Sequence, residues 1–221
     1  MAGRADQLVP LEGYGDSAMR LLRHLIPALL LLLYLAACSK TPMLPPLAAD
    51  AVILAFGDSL TYGTGAGESE SYPAVLENLS GRRIVNAGSP GELSETGLKR
   101  LPEILDREKP ALLILCHGGN DLLQKVNQSV TAGNLREMIR IAREKGVSVI
   151  LLSVPMPDLS LAPPEFYAEI AKEYGTPIES KALSRILGKS RLKSDYIHPN
   201  AAGYRLLADS VFELLKKSGA L

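Results

Sequence analysis

The stretch AVILAFGDSLTY, Ala51 to Tyr62, decides how the rest of the chain is read. Its apolar run, Ala51 to Phe56, has the length of a buried parallel strand. The run breaks at Gly57, and Asp58, Ser59 and Leu60 follow. A glycine allows a sharp exit from a strand, which leaves Ser59 at the carboxyl edge of a sheet, where open α/β folds bind their ligands. That is where a nucleophile belongs. Read alone, Ser59 is equally a cap on the turn after the strand. To act as a nucleophile it needs a base, a group that orients the base, and oxyanion donors.

From Asp50 onward, apolar runs alternate with helical patterns. Arg83 to Asn86, Ala111 to Cys116, Val147 to Val154 and a short segment near Pro177 to Glu179 read as further strands. Between them, helices are expected at Tyr72 to Leu79, Ser94 to Glu108, Asn134 to Lys145, Glu165 to Tyr174 and Lys181 to Leu187. A last helix is expected from Pro199 to Lys217, with the proline in its first turn. Strands alternating with helices at this spacing give a parallel sheet with right-handed crossovers. The fold class is therefore α/β: a three-layer α/β/α sandwich with a five-stranded parallel sheet, over residues 50–221.

Composition narrows the function. The 221 residues carry 24 basic and 24 acidic side chains, so the chain offers no electrostatic footprint for nucleic acid. At 47% hydrophobic it has enough apolar residues for one real core. The first 37 residues read as a signal peptide: Arg20 and Arg23 precede an apolar run, Leu25 to Ala37, too short to span a bilayer comfortably. Asp6, Glu12 and Asp16 suit neither a signal nor a core, which points to a true start at Met19. Residues 38–49, with Pro42, Pro45 and Pro46, read as a semi-extended tether reaching about 30 Å.

Near the C-terminus, Asp195-Tyr-Ile-His198 is followed by Pro199 and Asn200. Asp and His three residues apart can share one tight loop, the carboxylate holding one imidazole nitrogen while the other faces the serine. His117-Gly-Gly-Asn120-Asp121 follows the third strand. Asp58, Asp121 and His117 read as structural turn or strand-end residues, and Cys116 as a small core residue. No Cys/His/Asp cluster supports a metal, and no cofactor is expected. Gly63, Gly65 and Gly67 are no dinucleotide fingerprint, because Glu68 occupies the position the third glycine requires.

Taken together, Gly57-Asp-Ser-Leu60, Gly88, Gly118-Gly-Asn-Asp121 and Asp195-x-x-His198 resemble the four signature blocks of the GDSL (SGNH) hydrolases, in the family's order. The resemblance covers about 50–217 and is strongest to the bacterial thioesterase/protease/lysophospholipase branch. It implies a flavodoxin-like fold and a monomeric serine esterase acting on carboxylic esters or thioesters. Ser59 would be the nucleophile, His198 the base and Asp195 its orienter. The oxyanion donors would be the N–H groups of Ser59 and Gly88 and the side-chain amide of Asn120. The acyl chain would lie between loops 88–94 and 155–161, the second presenting Pro155, Met156 and Pro157.

Leu35-Ala-Ala-Cys38 resembles a bacterial lipobox, which would lipidate Cys38. With Ser39 next, this implies an outer-membrane anchor, the domain facing the periplasm. Two other readings stand beside the esterase: a carbohydrate O-acetylesterase on the same scaffold, and a non-catalytic envelope lipoprotein. The second predicts erosion of Ser59, Asn120, Asp195 or His198, and all four are present.

Overall fold

The computed structural model describes residues 41–221, which form one compact unit. The expected signal peptide, start codon and lipidated Cys38 lie outside the described residues.

The first strand, β1, is Val52–Gly57, buried from Ile53 onward. It runs into the one-turn helix α1, Ser59–Tyr62. Helix α2 is Tyr72–Ser80, strand β2 Arg83–Gly88 and helix α3 Ser94–Glu108. Strand β3, Leu112–Cys116, is wholly buried and leads to the short helix α4, Gly119–Leu123. Helix α5 is Gln128–Glu144, strand β4 Ser148–Leu152 and helix α6 Phe166–Tyr174. Strand β5, Ile178–Glu179, helix α7, Ala182–Leu187, and helix α8, Ala201–Lys217, complete the chain.

The sheet has the order β2-β1-β3-β4-β5 and is parallel throughout. The chain leaves β1 toward β2, then crosses back to β3 on the other side of β1. The loops after β1 and β3 therefore diverge, opening a crevice at the carboxyl edge between them. Ser59 sits at the mouth of this crevice. Its placement rests on β1 and β3, whose side chains from Ile53 to Phe56 and from Leu112 to Cys116 are fully buried. Each buried aliphatic side chain of this kind contributes about 1.5–3 kcal/mol.

Three expectations need correction. Helix α5 begins at Gln128, not Asn134, because Asn127 caps it by accepting the Ser129 N–H at 2.9 Å. Helix α8 begins at Ala201: Asn200 is its cap, accepting the Gly203 N–H at 3.1 Å. Pro199 instead lies before the helix, bridged antiparallel to Lys193. Residues 38–49 are not a tether throughout. The Leu44 and Leu47 N–H groups donate to the Ser218 and Ala220 carbonyls at 2.8 and 2.9 Å, and both leucines pack on the core.

Candidate active site

The Asp58 carboxylate caps α1 by accepting the Leu60 N–H at 3.0 Å, which leaves Ser59 as the first residue of the helix. The Ser59 N–H has no acceptor among the described residues. Its hydroxyl faces His198, with Oγ 2.9 Å from Nε2. The other ring nitrogen, Nδ1, lies 2.7 Å from Asp195 Oδ2. An ionised carboxylate only accepts, so Nδ1 carries the proton and Nε2 accepts from the serine.

The loop that carries Asp195 and His198 is closed on itself. Asp195 Oδ1 accepts the N–H groups of Ile197 and His198, each at 2.9 Å. At the loop's base, the Ser194 N–H donates to the His198 carbonyl at 3.0 Å and the Asn200 side chain to the Arg191 carbonyl at 3.0 Å. Partial burial alone would raise the Asp195 pKa, but the His198 imidazole and the two backbone N–H groups outweigh it and hold the carboxyl below its ordinary range. Asp195 is thus an anion wherever His198 needs one.

Asn120 comes from α4 into the same pocket as Ser59 and His198. One side-chain N–H donates to the Glu92 carbonyl at 3.0 Å, and the other has no acceptor among the described residues. Asp121 is structural, as read from the sequence: buried, it accepts the Ser94 N–H at 2.9 Å, the Ser94 hydroxyl at 2.5 Å and the Thr131 hydroxyl at 3.2 Å.

Gly88 does not fit the oxyanion role expected of it. Its N–H donates to the Asn86 side chain at 3.0 Å and is therefore occupied. Gly88 is a close-approach glycine: a Cβ there would sit 2.1 Å from the Tyr62 nitrogen. Gly91, at the turn tip of this loop, offers a free donor instead. Ser89-Pro90-Gly91-Glu92 is a β-turn in which the Glu92 N–H donates to the Ser89 carbonyl at 3.2 Å, with Gly91 at φ +77°. Proline followed by a left-handed glycine is the signature of a type II turn. The Gly91 N–H has no acceptor among the described residues, and Gly91 adjoins the carbonyl that holds Asn120.

Pro155, Met156 and Pro157 line the pocket beside Ser59 and His198. Residues 88–94 are not part of this pocket's lining; the Glu92 side chain turns to Arg100 and His117 instead. Leu123, Leu161 and Leu187 add further apolar lining, alongside Leu60, Val154 and Ile197. Leu123 and Leu187 come from helices far apart in sequence, and no local pattern flags them. Cys116 is fully buried, and burial pushes its thiol pKa up, so it is core rather than nucleophile. Among the described residues no group of acidic, His or Cys side chains could hold a metal.

Residues 55–206 match the GDSL-like Lipase/Acylhydrolase family. The chain belongs to that family. This GDSL hydrolase is similar to Esterase TesA of Pseudomonas aeruginosa, at 31% identity over 83% of this chain and 97% of that one. It is also similar to Thioesterase 1/protease 1/lysophospholipase L1 of Escherichia coli, at 29% identity over 73% of this chain and 82% of that one. The crystal structure of TesA matches with a TM-score of 0.69 at 30% identity, covering 75% of this chain and 98% of the other.

Proposed function

We propose that this GDSL hydrolase cleaves carboxylic esters and thioesters through an acyl-enzyme on Ser59. The observation that carries the reading is the continuous relay from Ser59 Oγ to His198 Nε2 at 2.9 Å and from His198 Nδ1 to Asp195 Oδ2 at 2.7 Å. The relatives named esterase, thioesterase/lysophospholipase and arylesterase support the same chemistry.

In the first half-reaction, Ser59 Oγ attacks the acyl carbon and its proton passes to His198 Nε2. The carbonyl oxygen becomes an oxyanion, stabilised by the N–H groups of Ser59 and Gly91 and the free Asn120 N–H. Collapse breaks the bond to the alcohol or thiol, which leaves with the proton from His198. Water then attacks the acyl-enzyme, giving its proton to His198, which returns it to Ser59 Oγ as the acyl–Oγ bond breaks and the carboxylic acid departs. Asp195 stays ionised throughout and stabilises the imidazolium.

Pro155, Met156 and Leu161 form an apolar acyl site on this reading, which favours medium chains over acetate. The test is kcat/KM of the full-length protein on p-nitrophenyl esters from acetyl to palmitoyl. A maximum at medium chains supports the acyl site, and activity confined to acetate would contradict it. We also propose that lipid on Cys38 anchors the enzyme in the bacterial envelope, at the outer membrane and facing the periplasm. The lipobox-like sequence supports this, and release of a Cys38→Ala variant from the membrane fraction tests it.

A further inference from the structure

Beneath the oxyanion loop lies a partly buried ionic cluster that the mechanism above does not use. The Glu92 side chain is 5% exposed, and Arg100 from α3 grips it in bidentate fashion, Nε to Oε2 at 2.8 Å and Nη2 to Oε1 at 2.7 Å. Arg100 Nη2 also donates to the Ala87 carbonyl at 3.1 Å, and its guanidinium lies 4.3 Å from the Phe56 ring centroid. His117, wholly buried, completes the cluster with Nε2 3.2 Å from Glu92 Oε1. Its Nδ1 accepts the Gly118 N–H at 2.9 Å, so the ring proton is on Nε2 and points at Glu92.

Burying the Glu92 charge is an expensive way to gain stability, because its desolvation offsets much of the attraction to Arg100. What the pair secures is position. Glu92 follows the exposed Pro90-Gly91 turn tip, and its main-chain carbonyl is the acceptor that holds Asn120. Arg100 ties the strand side of the loop through Ala87 and its far side through Glu92. His117, at the end of β3, ties the same carboxylate to the element that leads into Asn120.

We propose that Arg100, Glu92 and His117 are positioning residues for the oxyanion hole: they fix the Glu92 main chain, which orients the free N–H of Asn120 and places that of Gly91. The proposal rests on the reading of those two groups as oxyanion donors. An oxyanion donor acts on the transition state and not on bound substrate. Loosening the cluster therefore lowers kcat and leaves KM alone.

The test is a double-mutant cycle on the full-length protein with p-nitrophenyl butyrate, with Tm recorded for every variant. Arg100→Met is expected to lower kcat by about 10- to 100-fold, with KM within about twofold. In an Asn120→Ala background, where the group being positioned is gone, the same change is expected to cost less than about threefold. Glu92→Gln keeps the side-chain shape and the main-chain carbonyl, and it gives the same pattern at smaller amplitude should Arg100→Met fail to fold. An equal loss in both backgrounds, a loss carried by KM, or full kcat with a lowered Tm would overturn the proposal. Ser59→Ala is run alongside. If it stays active, the underlying mechanism fails; if it is dead while Arg100→Met is fully active, only the positioning role fails.

Discussion

Replacing Gly88 by alanine puts a methyl group into the contact that positions the nucleophile. The added Cβ would lie 2.1 Å from the Tyr62 nitrogen, 2.6 Å from the Tyr62 Cα and 2.7 Å from the Thr61 carbonyl carbon. Ordinary contact begins near 3.4 Å, so β2 and α1 must separate by more than 1 Å. All three opposing atoms are backbone of the helix that begins with Ser59, and none can rotate away. Overpacking of this kind costs about 1–3 kcal/mol, and rigid backbone on both sides puts Gly88→Ala at the upper end. For a chain of this size, about 3 kcal/mol lowers Tm by roughly 6–12 °C. Moving a nucleophile by about 1 Å costs on the order of 10²-fold in rate. The assay is thermal unfolding together with kcat on p-nitrophenyl butyrate. Gly91→Ala is the contrast: no atom lies within 4 Å of its added Cβ, so it suffers only the left-handed strain of its φ of +77°. That strain is about 1–2 kcal/mol. A Gly88→Ala variant with Tm within 1 °C or so of the parent and kcat within about twofold would refute the close-packing argument.

Other perturbations separate the parts of the site. Asn120→Ala removes one oxyanion donor and is expected to lower kcat by about 10²–10³ with little change in KM, measured by steady-state kinetics. Asp195→Asn keeps the loop but lets Nδ1 lose its anionic partner, and a fall in kcat of about 10⁴ is expected. In the stability profile, Glu92 and Asp58 act with opposite sign. Burial by itself raises the Glu92 carboxyl, but His117 and Arg100 overcome it and hold it below its ordinary value of 4.5. The unfolded chain then binds the proton more readily, so this contribution is present above about pH 4.5 and is lost as pH falls below it. Glu92→Gln should flatten the acid side of a Tm-against-pH curve. Asp58 is raised, by burial first, with His117 pulling the other way, and its Oδ2 has no hydrogen-bond partner among the described residues. Its ionisation therefore costs stability as pH rises, and Asp58→Asn should flatten that limb.

The sequence made strands β1 and β3 plain because both are unbroken apolar runs, buried on both faces, as a parallel sheet requires. Ser59, Asn120, Asp195 and His198 were legible because each stands at the end of an element whose type could be read. The two short helices α1 and α4 were not. Each is a single turn, too short to show a period, and each is held by its surroundings: Asp58 caps one, and Gly118 at φ +103° starts the other. The first turns of α5, Gln128 to Gly133, are too polar and too glycine-containing to show an apolar stripe. Gly88 was misassigned because a glycine at a strand end reads as a backbone donor, while its actual partners are Asn86 beside it and Tyr62 across the sheet edge. Glu92 and Arg100 left no signal either. Their pairing crosses from a loop into a helix, and each alone reads as a solvated charge.

The central claim is that Ser59 carries the acyl group with His198 as its base. The most direct measurement is fluorophosphonate labelling of the full-length protein, followed by mass spectrometry of the modified peptide. The account predicts one adduct per chain, on Ser59, absent in Ser59→Ala and formed far more slowly in His198→Ala. A folded protein that takes no label, or takes it on another residue with Ser59→Ala unaffected, would contradict it.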